Sequence, residues 1–461
     1  MNDSSRHLFV LAALSLGLLV LLSAVPWSRL TGNIIKDFNL FEDLLETKTL
    51  AEAPTEDFTE VQAEGGSDGD IAAIADSIEV DTAATDSVFM PVIEEAPVTD
   101  GYVMIENYTG GVPFAKFRAA LAQAGGRLAR VAVVGDSYIE GDIFCQNLRE
   151  ILQQRYGGNG TGFLPVHSDF PGFRKTVRQS DSGWKLHDIR TFARRDSLRN
   201  IACSYAKSVG AASASFKATN AFPGVSEWTE SRFLFIAPDS CSVRLSTSGA
   251  SQSFEVSPSP QVQMLSLSGL TDRFEVSTDA PGLVALGVCL DSGAGVQVDC
   301  MSVRGNSGMG LRAMNADLCA QMSRYVGYDL IILEFGMNAI TPGQNEYEGY
   351  YLSMQKAIAK VRACYPEADI LVMGVGDRGV KNGTAVESLS DAKIMGQVQR
   401  RLARKTGTLF WDTRAAMGGD GAVAEWRKRK LVNADYIHLN HDGGAELARL
   451  FDKALQISLN E

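Results

Sequence analysis

Four short blocks of this sequence hold residues able to act on an acyl group, in the order serine, glycine, asparagine, then aspartate with histidine. Ser137 stands in Gly135-Asp136-Ser137, directly after the apolar run 130–135 and before a helical stretch. A serine at such a turn sits at the carboxyl edge of a sheet, where open α/β folds bind ligands, and the N–H groups opening the next helix face a developing oxyanion. The plainer role of Asp136 and Ser137 is to cap that helix. Asp435 and His438 supply what a serine hydroxyl lacks: a base to take its proton and a carboxylate to orient the base. The chain has only five histidines, so a DxxH pair near its end is an uncommon coincidence, although a surface loop is the ordinary setting for one. Asn338, in Gly336-Met337-Asn338, can donate its amide into the same crevice, or be an ordinary turn residue. In Arg304-Gly305-Asn306-Ser307-Gly308 the glycines let backbone N–H groups approach a ligand closely, a weak signal alone.

These blocks need a frame that brings them to one edge, and the hydrophobic pattern predicts it. Residues 130–135, 328–335, 369–374 and 409–412 are short apolar runs of the kind found in buried parallel strands, with 296–303 strand-like as well. Helical spacing fills 114–124, 142–155, 346–364, 391–405 and 443–459. Alternation of this kind predicts a doubly wound α/β domain over residues 101–162 and 300–461. Between 163 and 299 the rhythm changes to short alternating runs split by Ser, Gly, Pro and Asp, which predicts an inserted all-β sandwich. In it, Trp184, Trp228 and Tyr205 have faces suited to sugar rings, or else they form sandwich core.

The net charge of -12 is unevenly spread. Residues 31–100 hold 18 Asp/Glu and two Lys, and residues 1–30 carry Arg6, Arg29 and Asp3, so the remainder sums to +3. A nearly neutral folded part lacks the clustered basic charge that nucleic acid requires. The acidic stretch 31–100 reads as a disordered tether kept extended by like charges. Residues 8–25 form an uncharged apolar run with Arg6 before it and Trp27 and Arg29 after it. Within the segment 1–30 we read it as an uncleaved membrane anchor, with a cleaved signal as the alternative. The expectation is an exported protein, periplasmic or facing the cell envelope, held to the inner membrane.

Seven cysteines with no CxxC pair and no Cys/His zinc spacing predict no metal site. One local disulfide among Cys241, Cys289 and Cys300 is open to an exported chain, while most of the seven read more simply as small buried residues. Gly374-Val-Gly-Asp-Arg-Gly379 matches GxGxxG, yet a lone match with no helix opening after it is weak. His438 and His441 lack the further ligands that a metal would need.

The ordered set Gly135-Asp136-Ser137, Gly308, Gly336-Met337-Asn338 and Asp435-x-x-His438 resembles the four blocks of the SGNH/GDSL hydrolases, over about residues 114–459 apart from the insertion. The resemblance implies a three-layer α/β/α flavodoxin-like fold, with Ser137 as nucleophile, His438 as base and then acid, and Asp435 as its orienter. It also implies an oxyanion hole made by the Ser137 and Gly308 N–H groups and the Asn338 amide. Ala339 departs from the pattern, standing where many members have Asp. The stretches GDSYIEGDIFCQNLREILQQRYGGNGTGF and TLFWDTRAAMGGDGAVAEW, with the β-rich insertion, are similar to the bacterial peptidoglycan O-acetylesterases, which carry a carbohydrate-binding-like module in the SGNH domain. That implies removal of O-acetyl groups from peptidoglycan or another envelope polysaccharide, with no metal or organic cofactor. A polysaccharide O-acetyltransferase would use the same triad, and an idle glycan-binding scaffold the same frame; the latter is expected to have lost a site residue, whereas all are present here.

Overall fold

The computed structural model describes residues 92–460, apart from 194, 345 and 384. The apolar run 8–25 and the acidic stretch through residue 91 lie outside the described residues. No described helix is long and apolar enough to cross a membrane.

Five strands form a parallel sheet: β1 (Leu128–Gly135), β2 (Gly295–Ser302), β3 (Leu330–Glu334), β4 (Asp369–Met373) and β5 (Leu409–Trp411). They lie in the order β2-β1-β3-β4-β5, the flavodoxin-like order, and the short strand Glu106–Asn107 adds antiparallel to the β5 edge. The helices are α1 (Ala115–Leu121), α2 (Cys145–Tyr156), α3 (Ala316–Ser323), α4 (Glu348–Cys364), α5 (Ser390–Thr406), α6 (Thr413–Met417), α7 (Ala422–Lys428) and α8 (His441–Asn460).

Side chains alternate across the strands and so build two cores. Val131, Val133, Val298 and Ile332 pack with Phe117 of α1, Leu148 of α2 and Phe451 of α8. Ala132, Val134, Ile331 and Leu333 pack with Leu318 of α3, Ile358 of α4 and Val398 of α5. Helices on both faces of the sheet make three layers, and they explain why these strands read as unbroken apolar runs.

Between α2 and β2 the chain forms a second, nine-stranded antiparallel sheet, from the strand Gly162–Leu164 to the strand Val284–Asp291. It is one hydrogen-bonded sheet where a two-sheet sandwich was expected. The strand Ser204–Ala218 pairs with Val177–Asp188 on one side, and with Arg273–Thr278 and then Val284–Asp291 on the other. One face closes on a core of its own containing Phe216, Phe233 and Phe274. The opposite face carries Phe163, Leu234 and Leu286, which join the core that holds α3 and α4. Residues 295–299, expected in the insertion, belong to β2 of the parallel sheet.

Residues 92–100, expected in the disordered tether, are docked. The Glu94 N–H donates to Gln397 Oε1, its carbonyl accepts from Gln397 Nε2 and Arg400, and its carboxylate pairs with Arg404. Glu94 there meets a basic partner on α5, Arg404, which composition alone does not reveal.

Candidate active site

Ser137 follows β1 with Gly135 at the strand end. A β-carbon on Gly135 would meet the Glu334 carbonyl oxygen at 2.7 Å and Ile139 at 2.9 Å, so only glycine lets β1 and β3 end side by side. The Ser137 Oγ lies 2.9 Å from His438 Nε2, and His438 Nδ1 lies 2.7 Å from Asp435 Oδ2. Serine and histidine are 301 residues apart in sequence, and the sheet order brings them together.

The loop before α8 is built to hold that histidine. Asp435 Oδ1 accepts from the N–H groups of Ile437 (2.9 Å) and His438 (3.1 Å) while Oδ2 faces the ring. This tight wrap sends Tyr436 into the left-handed region, φ 58°, a strain kept in place by the Gly379 N–H bond to the Tyr436 carbonyl and by the Asn433 N–H bond to the His438 carbonyl. Burial raises the Asp435 carboxyl, but the hydrogen bond and charge of His438 and the two backbone donors outweigh it and hold it below the usual carboxylate range. The His438 and Asp435 side chains are 17% and 12% exposed, so the pair is largely shielded from solvent.

The three expected oxyanion donors converge on the same edge, and two of them have internal partners. Asn338 Nδ2 donates to Asp136 Oδ2 at 2.7 Å and to the Asn306 carbonyl at 3.3 Å. The Gly308 N–H donates to Asn306 Oδ1 at 2.9 Å. Gly308 has φ 81° and faces the Phe335 ring where a β-carbon would stand, so its glycine is required on both counts. The shorter of the two Asn338 bonds, to a carboxylate, is the stronger and holds the amide in place; the longer is the weaker.

Several contributors escaped the sequence reading. Asn306 is 2% exposed and links the Gly308 and Asn338 blocks. Gln399 of α5 spans the ends of β3 and β4, donating to the Phe335 carbonyl and accepting from the Val375 N–H. Beneath the serine lie two buried carboxyls. Burial raises Asp136 to about 6, against its bonds from Tyr138 and Asn338. Burial, then the Asp136 charge, pushes Glu334 well above its ordinary value. Each is invisible as a pair because β1 and β3 are about 200 residues apart, as the 202-residue separation of Asp136 and Asn338 shows.

Other candidates fall elsewhere. Trp184 is 7% exposed and Trp228 1%; both lie in the core of the β module, with their indole N–H groups bonded to the Ser213 carbonyl and Ser231 Oγ. The expectation that they stack on sugar is corrected: their rings have no accessible face. Tyr205 is likewise buried, stacked on His187 and Phe192. All seven cysteines are buried free thiols, the simpler of the two readings, and no disulfide joins Cys241, Cys289 and Cys300; Cys300 neighbours Cys145 and Asp142 instead. Both Asp142 carboxylate oxygens bond Arg149, which meets the charge of that cluster from within the protein. His441 Nδ1 faces Gln146, and burial followed by the Lys175 charge lowers it to about 4. A β-hairpin, Gly379–Asn382 with Ala385–Ser388, follows the GxGxxG match where a dinucleotide site needs a helix.

Residues 270–445 match the model of the GDSL-like lipase/acylhydrolase family. The chain carries a GDSL-like hydrolase domain. No curated protein sequence matches the chain. Among solved structures, one titled "Peptidoglycan O-acetylesterase in action, 5 min" is similar with a TM-score of 0.63 and 23% identity, covering 77% of this chain and 99% of that one. At this identity the likeness is one of fold, and it spans the GDSL-like domain and the β module together. A family two carbohydrate esterase from Cellvibrio japonicus aligns with a TM-score of 0.25 and 11% identity, covering 60% of this chain and 99% of that one. The family match begins within the β module and leaves out Ser137, so the first block of the GDSL-like domain is joined to the others by the geometry above rather than by the family model.

Proposed function

We propose that this chain is a serine esterase that removes O-acetyl groups from peptidoglycan or another envelope polysaccharide. The observation that carries the chemistry is the Ser137–His438–Asp435 line, with contacts of 2.9 and 2.7 Å, at the carboxyl edge of the sheet. His438 takes the hydroxyl proton as Ser137 Oγ attacks the ester carbonyl. The carbonyl oxygen becomes an oxyanion beside the Ser137 and Gly308 N–H groups and the Asn338 amide. Collapse breaks the bond to the sugar oxygen, which takes the proton from His438 and departs as a hydroxyl, leaving an acetyl group on Ser137. Water, deprotonated by His438, then releases acetate and restores the serine. The choice of acetyl and glycan rests on the fold likeness to the peptidoglycan O-acetylesterase and on the β module built into the same core. We place the enzyme in the cell envelope, on the apolar run 8–25 and the acidic stretch that follows it.

The test is acetate release from O-acetylated peptidoglycan by the soluble fragment beginning at residue 92, beside its Ser137→Ala variant. Release by the parent alone supports the reading. Turnover of an aryl acetate without release from the wall moves the substrate elsewhere, and inactivity on both overturns esterase chemistry.

A further inference from the structure

One crevice beside the triad has no part in the chemistry just described. Its floor is the turn after the nucleophile, Glu140 and Gly141, together with Ser302 at the end of β2; its wall is the first segment of the β module, including Phe170, Pro171 and Gln179. The crevice measures about 90 Å³. The Glu140 N–H bonds the Ser137 carbonyl at 3.4 Å, so the floor begins one turn from the nucleophile.

Arg304, at the carboxyl end of β2, ties wall to floor. Its guanidinium lies 3.8 Å from the centre of the Phe170 ring and 5.1 Å from that of Phe173, and its Nε donates to Glu140. The two rings stack on each other at 5.7 Å and 25°. The packing leaves no slack: a β-carbon on Gly141 would stand 3.0 Å from Phe173. Arg304 and Glu140 are 15% and 19% exposed, and both phenylalanines are half-buried. An aromatic ring and a carboxylate, Phe170 and Glu140, line the crevice with the Arg304 guanidinium held against both, which suits a ligand with an apolar C–H face and hydroxyl groups around its rim. A pyranose ring has that form: its C–H face meets an aromatic ring, its hydroxyls donate to a carboxylate and accept from a guanidinium.

Resting on the esterase reading above, we infer that this crevice holds the sugar next to the one bearing the ester, and that Phe170 with the Arg304–Glu140 pair makes the enzyme prefer a glycan chain to a free ester. The insertion then contributes to the active site through its first loop, independent of Trp184 and Trp228.

The test compares kcat/KM for O-acetylated glycan chains with that for 4-nitrophenyl acetate. Phe170→Ala is expected to lower the ratio about tenfold, and Phe170→Tyr, which keeps the ring, to leave it within about twofold. Thermal unfolding of both variants checks that the loop still packs. An unchanged ratio in a folded Phe170→Ala protein overturns the inference. Calorimetric titration with chitotetraose, which carries no O-acetyl ester, separates this site from the esterase reading. If the parent binds it and Phe170→Ala binds about tenfold more weakly, the crevice is a sugar site even should ester hydrolysis fail. Equal binding by the two proteins, or none by either, counts against the sugar site.

Discussion

Asn338 donates its amide to the carboxylate of Asp136 at 2.7 Å, joining the asparagine after β3 to the residue just before the nucleophile. The contact fixes the direction of one amide hydrogen and leaves the other on the 3.3 Å bond to the Asn306 carbonyl. Removing the donor tests what it does. Asn338→Ala is expected to lower kcat on an aryl acetate by about 10²–10³ with KM little altered, the usual loss for one oxyanion donor. A change confined to KM speaks against the role.

Asn306 separates geometry from charge. Asn306→Asp keeps an oxygen for the Gly308 N–H but sets a negative charge beside a forming oxyanion, whereas Asn306→Ala removes the acceptor and leaves the N–H to the substrate. The expected order of kcat is parent, then Ala, then Asp, with the Asp variant recovering as the pH is lowered. An Asp variant as active as the parent means that Gly308 does not face the oxyanion.

The nucleophile itself is tested by mass. A fluorophosphonate is expected to label the parent once, at Ser137, and to leave Ser137→Ala and His438→Ala unlabelled. Asp435→Asn keeps the shape of the loop but disturbs the histidine tautomer and its charge partner, and a loss of about 10³–10⁴ in kcat is expected. Labelling at another serine would reassign the chemistry.

Asp136 gives a pH signature in stability. Its folded value, raised by burial to about 6, lies above its ordinary 3.8, so ionising it costs more in the folded state than in the unfolded. Stability relative to Asp136→Asn is therefore expected to fall as the pH rises through the window from about 4 to 6, by roughly 3 kcal/mol at 1.36 kcal/mol per unit, and to fall further above it, because the Asp136 charge also raises Glu334 in the parent. Urea unfolding of both proteins between pH 4 and 8 reads the difference directly; a difference that does not vary with pH removes the assignment.

The N-terminal strap supplies a contrast between exposed and buried ion pairs. Glu94 and Arg404 are 41% and 48% exposed, and Glu94→Gln is expected to cost under about 1 kcal/mol. Arg400 is 1% exposed and leans on Glu106 and Asp412, so Glu106→Ala, which removes one of its two carboxylates, is expected to cost about 2–3 kcal/mol. Equal costs for the two substitutions would mean that burial does not set the strength of these pairs.

The parallel strands and the triad were legible in the sequence for different reasons. A strand buried on both faces must be apolar throughout, so 130–135 and 328–335 announce themselves; Ser137, Asp435 and His438 stand out by residue type and order. What stayed hidden depends on pairings across the fold. Asn306 and Gln399 look like ordinary polar residues until the strand ends they bridge are adjacent, and Glu334 reads as a charged break in an apolar run until its burial is seen. Trp184 and Trp228 show a different limit: alternation marks a strand with an inner and an outer face, yet it does not say which face is inner when both faces of a sheet are covered. Residues 92–100 look like tether because acidic composition carries no information about a basic partner some 300 residues away, as the 310-residue separation of Glu94 and Arg404 illustrates.

Because one face of the β module shares its core with α3 and α4, the insertion cannot be trimmed away like a decoration. Excision would take Leu234, Val262 and Leu286 out of the core they share with Leu318, Met322 and Tyr328. Any shortened enzyme built from this scaffold must bring a replacement wall, and the catalytic half must find its folding partner within the same chain before it can be an enzyme at all.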